Sequence, residues 1–373
     1  MSNAPVVELG LRSPLGQTVA HLADVLAFQG TRTANTIGRA RLTLSGDADP
    51  RLMRRGMLLD AWWSPYPGYA LRPWRVYEIQ KTVFKVGEGG LATWEVEGVD
   101  LKHILTKRRV RAYKGSAAAD KAGPVEVVAK SYVTDHLRGL DTAYGLTVAP
   151  TRGLGPLVTK EAARANLYTV LTDLVKAAAE TTGGTAVYFN VVEVYTGERL
   201  TTRFEVWLDT LGADQGLGSP APLVLSRDDG TITSLSYSED AEKEVNRVDV
   251  GGGKDEANRV MVTVEDSARA RAYPGAAVEG WAEKSDTTDP AVLASVGHKE
   301  LRAGDIKRAV TVTFADSLAL RVGRDFDLGD RCLVAVEPLG MLLPARLSAL
   351  VLTQERGKTT VSGTLGVSEG TNE

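Results

Sequence analysis

The stretch WRVYEIQKTVFKVGEGGLATWEVEGVDLKHILTKRRVR, residues 74–111, decides the fold of the N-terminal part of this chain. Two runs within it alternate apolar and polar residues, which is typical of strands with one buried face. The glycine-rich segment 87–90 lies between the runs, and glycine adopts turn conformations without steric cost, so the stretch predicts a β-hairpin. The residues assigned to buried faces are Tyr77, Ile79, Val83, Ala92, Trp94 and Val96.

The hairpin is followed by a capped helix and then by a cluster of positive charge. Asp100 is suited to cap a short helix over 101–105. The basic segment, which we define as residues 107–111, comes next. Its positive charges repel one another because they lie close together along the chain. Its charge is either solvated or offset by a partner. The basic residues are Lys107, Arg108, Arg109 and Arg111.

Further strands before the hairpin predict a small β-structure over residues 1–111. Residues 5–11 predict a first short strand, 57–63 predict a more fully buried strand, and 39–45 alternate without a fault. A short helix is expected at 51–55. Five or six strands in so short a segment are typical of a small barrel or sandwich.

The middle of the chain, residues 112–222, predicts an α+β module. Residues 112–123 are rich in alanine, glycine and lysine and predict a linker or exposed loop. The clearest helix is expected at 166–181, with Asn166 as its N-cap and the glycines after Thr181 as its stop. A second helix is expected at 125–138, and strands at 185–195 and 203–209. The apolar stripe of the clearest helix consists of Leu167, Val170, Leu171, Leu174, Val175 and Ala178.

The C-terminal region, residues 223–373, predicts a second β-module. Alternating runs within 223–264 and 310–367 indicate its strands. Residues 266–309 lack such a pattern and predict a long loop. The acidic end of the strand near 235 includes Glu239 and Asp240.

Composition excludes several classes of protein. The net charge of −3 and the pI of about 6.0 do not fit a dedicated nucleic-acid binder. Cys332 is the single cysteine, so neither an internal disulfide nor a cysteine-based zinc site can form, and we expect assembly in a reducing cytoplasm. The N-terminus does not have the pattern of a secretory signal, and no stretch is apolar enough to predict a membrane span.

No motif predicts catalysis, a metal or a cofactor. The four histidines have no ligand-like spacing, and the glycines at 251–253 lack the spacing of a phosphate-binding loop. Asp325, Asp327 and Asp330 do not have the spacing of an EF-hand and predict a turn rather than a calcium site. We therefore expect a protein that is not an enzyme and needs no cofactor.

Three segments carry a resemblance to a known family. They are EGVDLKHILTKRRV at 97–110, LVLSRDDGTITSLSYSEDAEKEVNRVDVGGG at 223–253, and FDLGDRCLVAVEPLGMLLPARLSALVLTQERGKTTVSGTLGV at 326–367. Together with the order of the elements, they resemble the tail-tip hub proteins of siphoviruses, long-tailed bacteriophages. These hubs are related to the myovirus baseplate hub.

The resemblance implies a mainly β, α+β fold. In it, two tube-like antiparallel β-barrel modules, 1–111 and 223–373, flank the inserted α+β module. It also implies a structural virion protein, a homotrimer assembled in the host cytoplasm, which closes the distal end of the tail tube and forms the channel for DNA ejection. The expected partners are the tail tube or distal tail protein, the tape measure protein, other tail-tip or fibre proteins and, transiently, phage DNA in the lumen. Candidate subunit-interface or lumen residues are Lys107, Arg108, Arg109, Arg111, Glu239 and Asp240.

Two other functions remain open from the sequence. One is a tail-associated cell-wall hydrolase, although no residues remain after 367 for an appended catalytic domain. The other is a carbohydrate-binding module in which Trp62 and Trp63 stack on sugar rings.

Overall fold

A computed structural model describes residues 6–49, 51–65, 69–112, 116–179, 186–208, 211–254, 258–272, 277–315 and 320–367. The strands are β1 (Val6–Arg12), β2 (Thr18–His21), β3 (Val25–Thr33), β4 (Arg39–Ser45), β5 (Leu58–Ser64), β6 (Arg72–Val86), β7 (Ala92–Asp100), β8 (Ala119–Pro124), β9 (Leu146–Val148), β10 (Leu157–Ala162), β11 (Val187–Thr196), β12 (Arg199–Leu208), β13 (Val224–Leu225), β14 (Ile232–Asp240), β15 (Arg247–Gly252), β16 (Val260–Glu265), β17 (Glu279–Lys284), β18 (Lys307–Phe314), β19 (Arg331–Val336), β20 (Met341–Glu355) and β21 (Lys358–Val367). The helices are α1 (Val125–Asp135), α2 (Leu140–Tyr144), α3 (Leu167–Ala179), α4 (Ser267–Ala272) and α5 (Pro290–Ala303), with 3-10 helices at Leu101–Lys107 and Glu337–Leu339. The fold is α+β and mainly β.

The central hairpin forms as predicted from β6 and β7. Its turn closes with a hydrogen bond from the Gly90 backbone N–H to the Gly87 carbonyl, and Gly90 has a φ of +74°. The Asp100 side chain caps the following helix by accepting the Lys102 backbone N–H at 3.0 Å. That helix is a 3-10 helix and ends two residues later than predicted.

One residue of the hairpin lies on the other face from the one predicted. The pairing of β6 with β7 contains a bulge at Gln80, directly after Ile79. An extra residue reverses the alternation of side chains along the strand. Val83 therefore lies opposite Glu95, and its assignment to the buried face is wrong.

The strands before the hairpin also follow the sequence pattern, with one exception. β4 spans the predicted 39–45, and its inward residues are buried. The short helix expected at 51–55 is wrong, because this segment forms turns. There the Asp49 carboxylate accepts hydrogen bonds from the backbone and side chain of Arg51, which favours a turn over a helix.

The middle of the chain contains the predicted helices together with strands that the sequence did not indicate. α3 begins after Asn166, whose side-chain oxygen accepts the Tyr168 backbone N–H at 3.0 Å. The expected linker at 112–123 is wrong over its last residues, because β8 pairs along its whole length with β10. The predicted stop after Thr181 lies outside the described residues.

The core of this middle segment is continuous with the strands before it. Leu171, at the centre of α3, is buried in a cluster that also contains Leu58 of β5 and Val76 of β6. The α3 stripe therefore packs into a core shared with the first strands of the chain.

Most of the strands outside this middle segment form one large sheet. Its main path runs β14-β18-β21-β20-β3-β4-β7-β6-β5-β1-β2, and β13 and β19 join it beside β20. Strands from both predicted β-modules thus belong to the same sheet. Among the described residues, no helix combines the length and apolar character needed to cross a membrane.

Residues Tyr237–Val310 form a compact unit of their own. The expected long loop at 266–309 is wrong, because this segment holds α4, β17 and α5. β15 pairs with β16 and β17 in a separate three-stranded sheet. The sequence assigned the strands within 223–264 to one β-module with those of 310–367, but those from residue 247 onward belong to this separate sheet.

The sequence pattern did not predict α5, because a glycine stands at the position where this helix contacts its sheet. A Cβ built on Gly297 would lie 1.9 Å from the Val264 side chain, so the helix packs closely against its sheet. Leu293, Gly297 and Leu301 are buried four residues apart, but the glycine hides the apolar stripe. Asp289 followed by Pro290 is a helix-start signal, and the Asp289 side chain does accept the Ala291 backbone N–H.

Candidate functional site

The first residue of the basic segment is neutralised within the chain. Lys107 Nζ lies 2.6 Å from each carboxylate oxygen of Glu78 on β6. The Glu78 side chain is only 5% exposed, and the Tyr144 hydroxyl also donates to it at 3.2 Å. Lys107 thus has an acidic partner that sequence reasoning missed, because the two residues lie 29 positions apart.

The middle of the segment is fixed by hydrogen bonds to the backbone. Arg108 is half-buried and donates to the carbonyls of Lys107 and Arg138. The Arg111 backbone N–H donates to His136 Nε2 at 3.1 Å, while His136 Nδ1 donates to the Tyr132 carbonyl. These contacts tie the segment to the C-terminal end of α1.

Two arginines of the segment point their charge to solvent, and a third joins them. Arg109 and Arg111 are exposed. The Val110 backbone N–H donates to the Ala165 carbonyl, and the Val110 carbonyl accepts the Arg164 backbone N–H, both at 2.8 Å. Arg109, Arg111 and Arg164 therefore line one open cleft of about 700 Å³, which we name the arginine cleft. No sequence signal indicated Arg164, because its position depends on this backbone contact.

Glu239 and Asp240 are the last two residues of β14, so they lie at the acidic end of this strand. Glu239 accepts hydrogen bonds from the Tyr237 hydroxyl at 2.8 Å and from Arg308 Nε at 3.3 Å. The Tyr237 hydroxyl, followed by Arg308, lowers the pKa of Glu239. Asp240 is exposed and accepts the Glu242 backbone N–H. Both carboxylates have solvent-facing surface.

The three aspartates near 327 face separate protein donors. Asp327 binds the Arg32 guanidinium through both oxygens, at 3.0 and 3.3 Å. Asp330 accepts backbone N–H groups from Ala213 and Asp327, and Asp325 pairs with Arg324. Within the described part of the chain, no group of histidine, cysteine, aspartate and glutamate side chains could hold a metal ion.

The tryptophans differ in their exposure. Trp63 is 3% exposed, which leaves no face for a sugar ring. Trp62 is half-buried, and its ring makes an edge contact with Tyr195 at a centroid distance of 5.0 Å.

The sheet contains the same four-strand arrangement twice. We name β3-β4-β7-β6 the first block and β14-β18-β21-β20 the second block. In sheet order the second block is followed directly by the first, so that β20 pairs with β3. Within each block the long strand, β6 or β20, forms a hairpin with the strand that follows it in the chain.

Details of the backbone support this equivalence. β20 has a bulge at Ser348, and β6 has one at Gln80. Directly before each bulge, a glycine with positive φ donates its N–H to the long strand: Gly329 to the Leu347 carbonyl and Gly56 to the Ile79 carbonyl. The two blocks can therefore be aligned residue by residue along their long strands.

The contact between the blocks uses only part of β20. Its residues Ala349–Glu355 pair antiparallel with Ala27–Thr33 of β3, while Met341–Arg346 pair with β19 on the same edge. The ion pair of Arg32 with Asp327 lies at this junction.

Several solved structures share this fold. The chain is similar to the 43 kDa tail protein of prophage MuSo2 from Shewanella oneidensis, with a TM-score of 0.61 and 10% identity over 96% of this chain and 97% of that chain. It is also similar to the tail protein from Neisseria meningitidis MC58 (TM-score 0.59, 13% identity, 98% and 97%) and to prophage tail protein gp18 from Listeria monocytogenes EGD-e (0.53, 11%, 98% and 95%). The fold is that of a phage tail protein.

A family model narrows the class. The model of the siphovirus ReqiPepy6 Gp37-like protein matches residues 23–367, and the chain belongs to this family. It is therefore a phage tail protein and a component of the virion. No curated protein sequence matches the chain.

Proposed function

We propose that this protein is the hub of a siphovirus tail tip, a homotrimer at the distal end of the tail tube that forms the channel for DNA ejection. The duplicated four-strand block is the observation that carries the proposal. Two similar blocks in one chain allow three copies to present six similar units to a six-fold tube. In this proposal each block belongs to one tube-like barrel module.

The experiment for the trimer is light scattering of the purified chain over a range of concentrations. We expect a trimer at high protein concentration. A stable dimer would contradict the hub proposal, because two copies present four blocks and cannot match six-fold symmetry. Imaging of the particle with this chain located in it tests its position at the tail tip.

We propose that a neighbouring protein subunit, rather than DNA, offsets the arginine cleft. The near-neutral chain gives strong phosphate binding no support, since a conduit must let DNA slide. The acidic end of β14, with Glu239 and Asp240, is the candidate partner on an adjacent copy. The tail tube or distal tail protein, the tape measure protein and other tail-tip proteins are the further partners of the hub.

The double variant Arg109→Gln/Arg111→Gln distinguishes a protein partner from a DNA partner, and it preserves the Lys107 ion pair. If a protein subunit is the partner, ring assembly weakens and particles lack tail tips. If DNA is the partner, tails assemble normally and ejection changes. The control variant Lys176→Gln/Arg199→Gln removes two other exposed charges and should change neither. Normal tails with normal ejection in the arginine variant would leave only a solvated surface.

The rival function of a cell-wall hydrolase is tested by a peptidoglycan-cleavage assay, in which we expect no activity. The carbohydrate-binding rival is tested by comparing glycan binding of the native chain with that of Trp62→Ala. Trp62 is chosen because its ring is more accessible than that of the buried Trp63.

A further inference from the structure

Each block has a long strand at one edge, β6 or β20, and an end strand at the other edge, β3 or β14. Among the described strands, the long strand β20 pairs with the end strand β3 of the other block, whereas β6 and β14 have no such partner. The outer edge of β20 beyond its bulge is covered by β3. The equivalent part of β6, after Gln80, pairs with β7 on one edge. Among the described strands, none pairs with its other edge over 82–86. At the far end of the sheet path, β14 has β18 as its only described neighbour.

The burial of equivalent residues shows what the missing neighbour would cover. Alignment at the bulges makes Phe84 the equivalent of Leu352. Leu352 is fully buried where β3 covers its strand, whereas Phe84 is 48% exposed. Val86, further along the same strand, is 62% exposed. Exposed apolar residues on an unpaired strand edge are a surface that proteins normally cover or protect.

We propose that the β6 edge at 82–86 pairs antiparallel with residues 232–236 of β14 from a neighbouring copy of this chain, as β20 pairs with β3 within the chain. This proposal rests on the proposed trimer and names the surface that holds it together. The occupant is a second copy because, among the described strands, β14 alone has an edge equivalent to that of β3, and β14 is an end strand.

The internal junction also predicts the register. Phe28 of β3 and Ile232 of β14 are each the most buried residue of their strand's apolar face, with exposures of 1% and 3%. Phe28 lies opposite Gln354, whose equivalent in β6 is Val86. Ile232 is therefore expected opposite Val86. Two residues along each strand, Ser234 is then expected opposite Phe84.

Disulfide trapping tests this register. Residues directly opposite on neighbouring antiparallel strands come close enough for a disulfide. The variant Phe84→Cys/Ser234→Cys should form intermolecular disulfides on mild oxidation, and non-reducing gels should show a ladder that ends at the trimer. In the control Phe84→Cys/Leu235→Cys, the second cysteine is one residue out of register and points to the other face, so little cross-linking is expected. The native Cys332 is buried and should stay unreacted.

A second pair of variants tests the edge without cysteines. Val86→Asp should raise the concentration at which trimers form at least about tenfold, because a carboxylate would be buried at the junction. Leu91→Asp changes a residue that is 81% exposed in the hairpin turn, beyond the expected contact, and should leave assembly unchanged.

The outcomes distinguish this inference from the hub proposal. A chain that forms trimers by light scattering but neither cross-links at Phe84 and Ser234 nor responds to Val86→Asp would overturn the edge pairing and leave the trimer intact. A chain that stays monomeric at every concentration would overturn both.

Discussion

We expect Lys107 to stabilise the folded chain, although the sequence analysis placed it among the candidate subunit-interface or lumen residues. Its ammonium lies 2.6 Å from both oxygens of the Glu78 carboxylate, which is almost fully buried. In Lys107→Gln the carboxylate keeps only the hydroxyl of Tyr144 as a partner among the contacts described above. The variant therefore leaves a buried negative charge without its counter-charge.

The magnitude follows from the burial of the two partners. At an effective dielectric constant of 20, two charges 2.6 Å apart attract by about 6 kcal/mol before desolvation is counted. Removing one member of a fully buried pair costs about 3–5 kcal/mol. The Lys107 side chain is 30% exposed, so water can reach the carboxylate in the variant and reduce that cost. We expect a loss of about 2 kcal/mol in the free energy of unfolding.

Urea denaturation followed by circular dichroism measures this loss. Arg109→Gln is the matched control, since its side chain is exposed and its change should stay within about 0.5 kcal/mol. The double variant Glu78→Gln/Lys107→Gln should recover part of the loss, because no charge is then left buried. If Lys107→Gln were as stable as the native chain, the ion pair would not form in solution and the whole basic segment would again be a candidate contact surface.

Three further predictions concern buried residues. Leu171→Ala should lower the free energy of unfolding by about 3 kcal/mol in the same urea experiment, because Leu171 is 1% exposed at the centre of α3 and truncation leaves a cavity; a loss below about 1 kcal/mol would argue against the shared core. Burial lowers the pKa of Lys102 to about 8, while the unfolded chain holds that proton to about pH 10.4, so the native chain should gain stability between pH 8 and 10 relative to Lys102→Met. Parallel pH profiles for the two proteins would contradict this. Burial also raises the pKa of the Cys332 thiol to about 12, so Ellman's reagent at pH 8 should react with it only after urea unfolds the chain.

The strands were predictable because their signal is local. β4 buries every second residue along its length, and β7 does so from Val96 to Asp100. That alternation depends only on neighbours in the sequence. The bulge at Gln80 was not predictable, since an extra residue in one strand is defined by its pairing with another. The same holds for α5, where the close packing of Gly297 on Val264 is a contact between distant segments.

The sequence predicted which basic residues belong to the candidate site, but not which of them have partners within the chain. The sequence identified four basic residues in the segment, but their partners come from elsewhere: Glu78 for Lys107 and the Arg138 carbonyl for Arg108. Those contacts divide the segment into two residues that stabilise the fold and two that remain for a partner. Arg164 joins the exposed pair through a backbone bridge that no spacing rule reveals.

The duplicated block restricts how copies of this chain can associate. One junction between a long strand and an end strand is already made inside the chain, by β20 and β3. The edges left over, of β6 and β14, are of two different kinds, so an interface that repeats the internal junction joins unlike surfaces head to tail. A head-to-tail interface closes into a ring when the rotation per copy divides a full turn, and otherwise grows into a filament. If the junction between copies has the same geometry as the junction within the chain, each block turns by the same angle. A ring of three copies then requires about one sixth of a turn per block, and a cross-linking ladder that extends beyond the trimer would show that the two junctions differ.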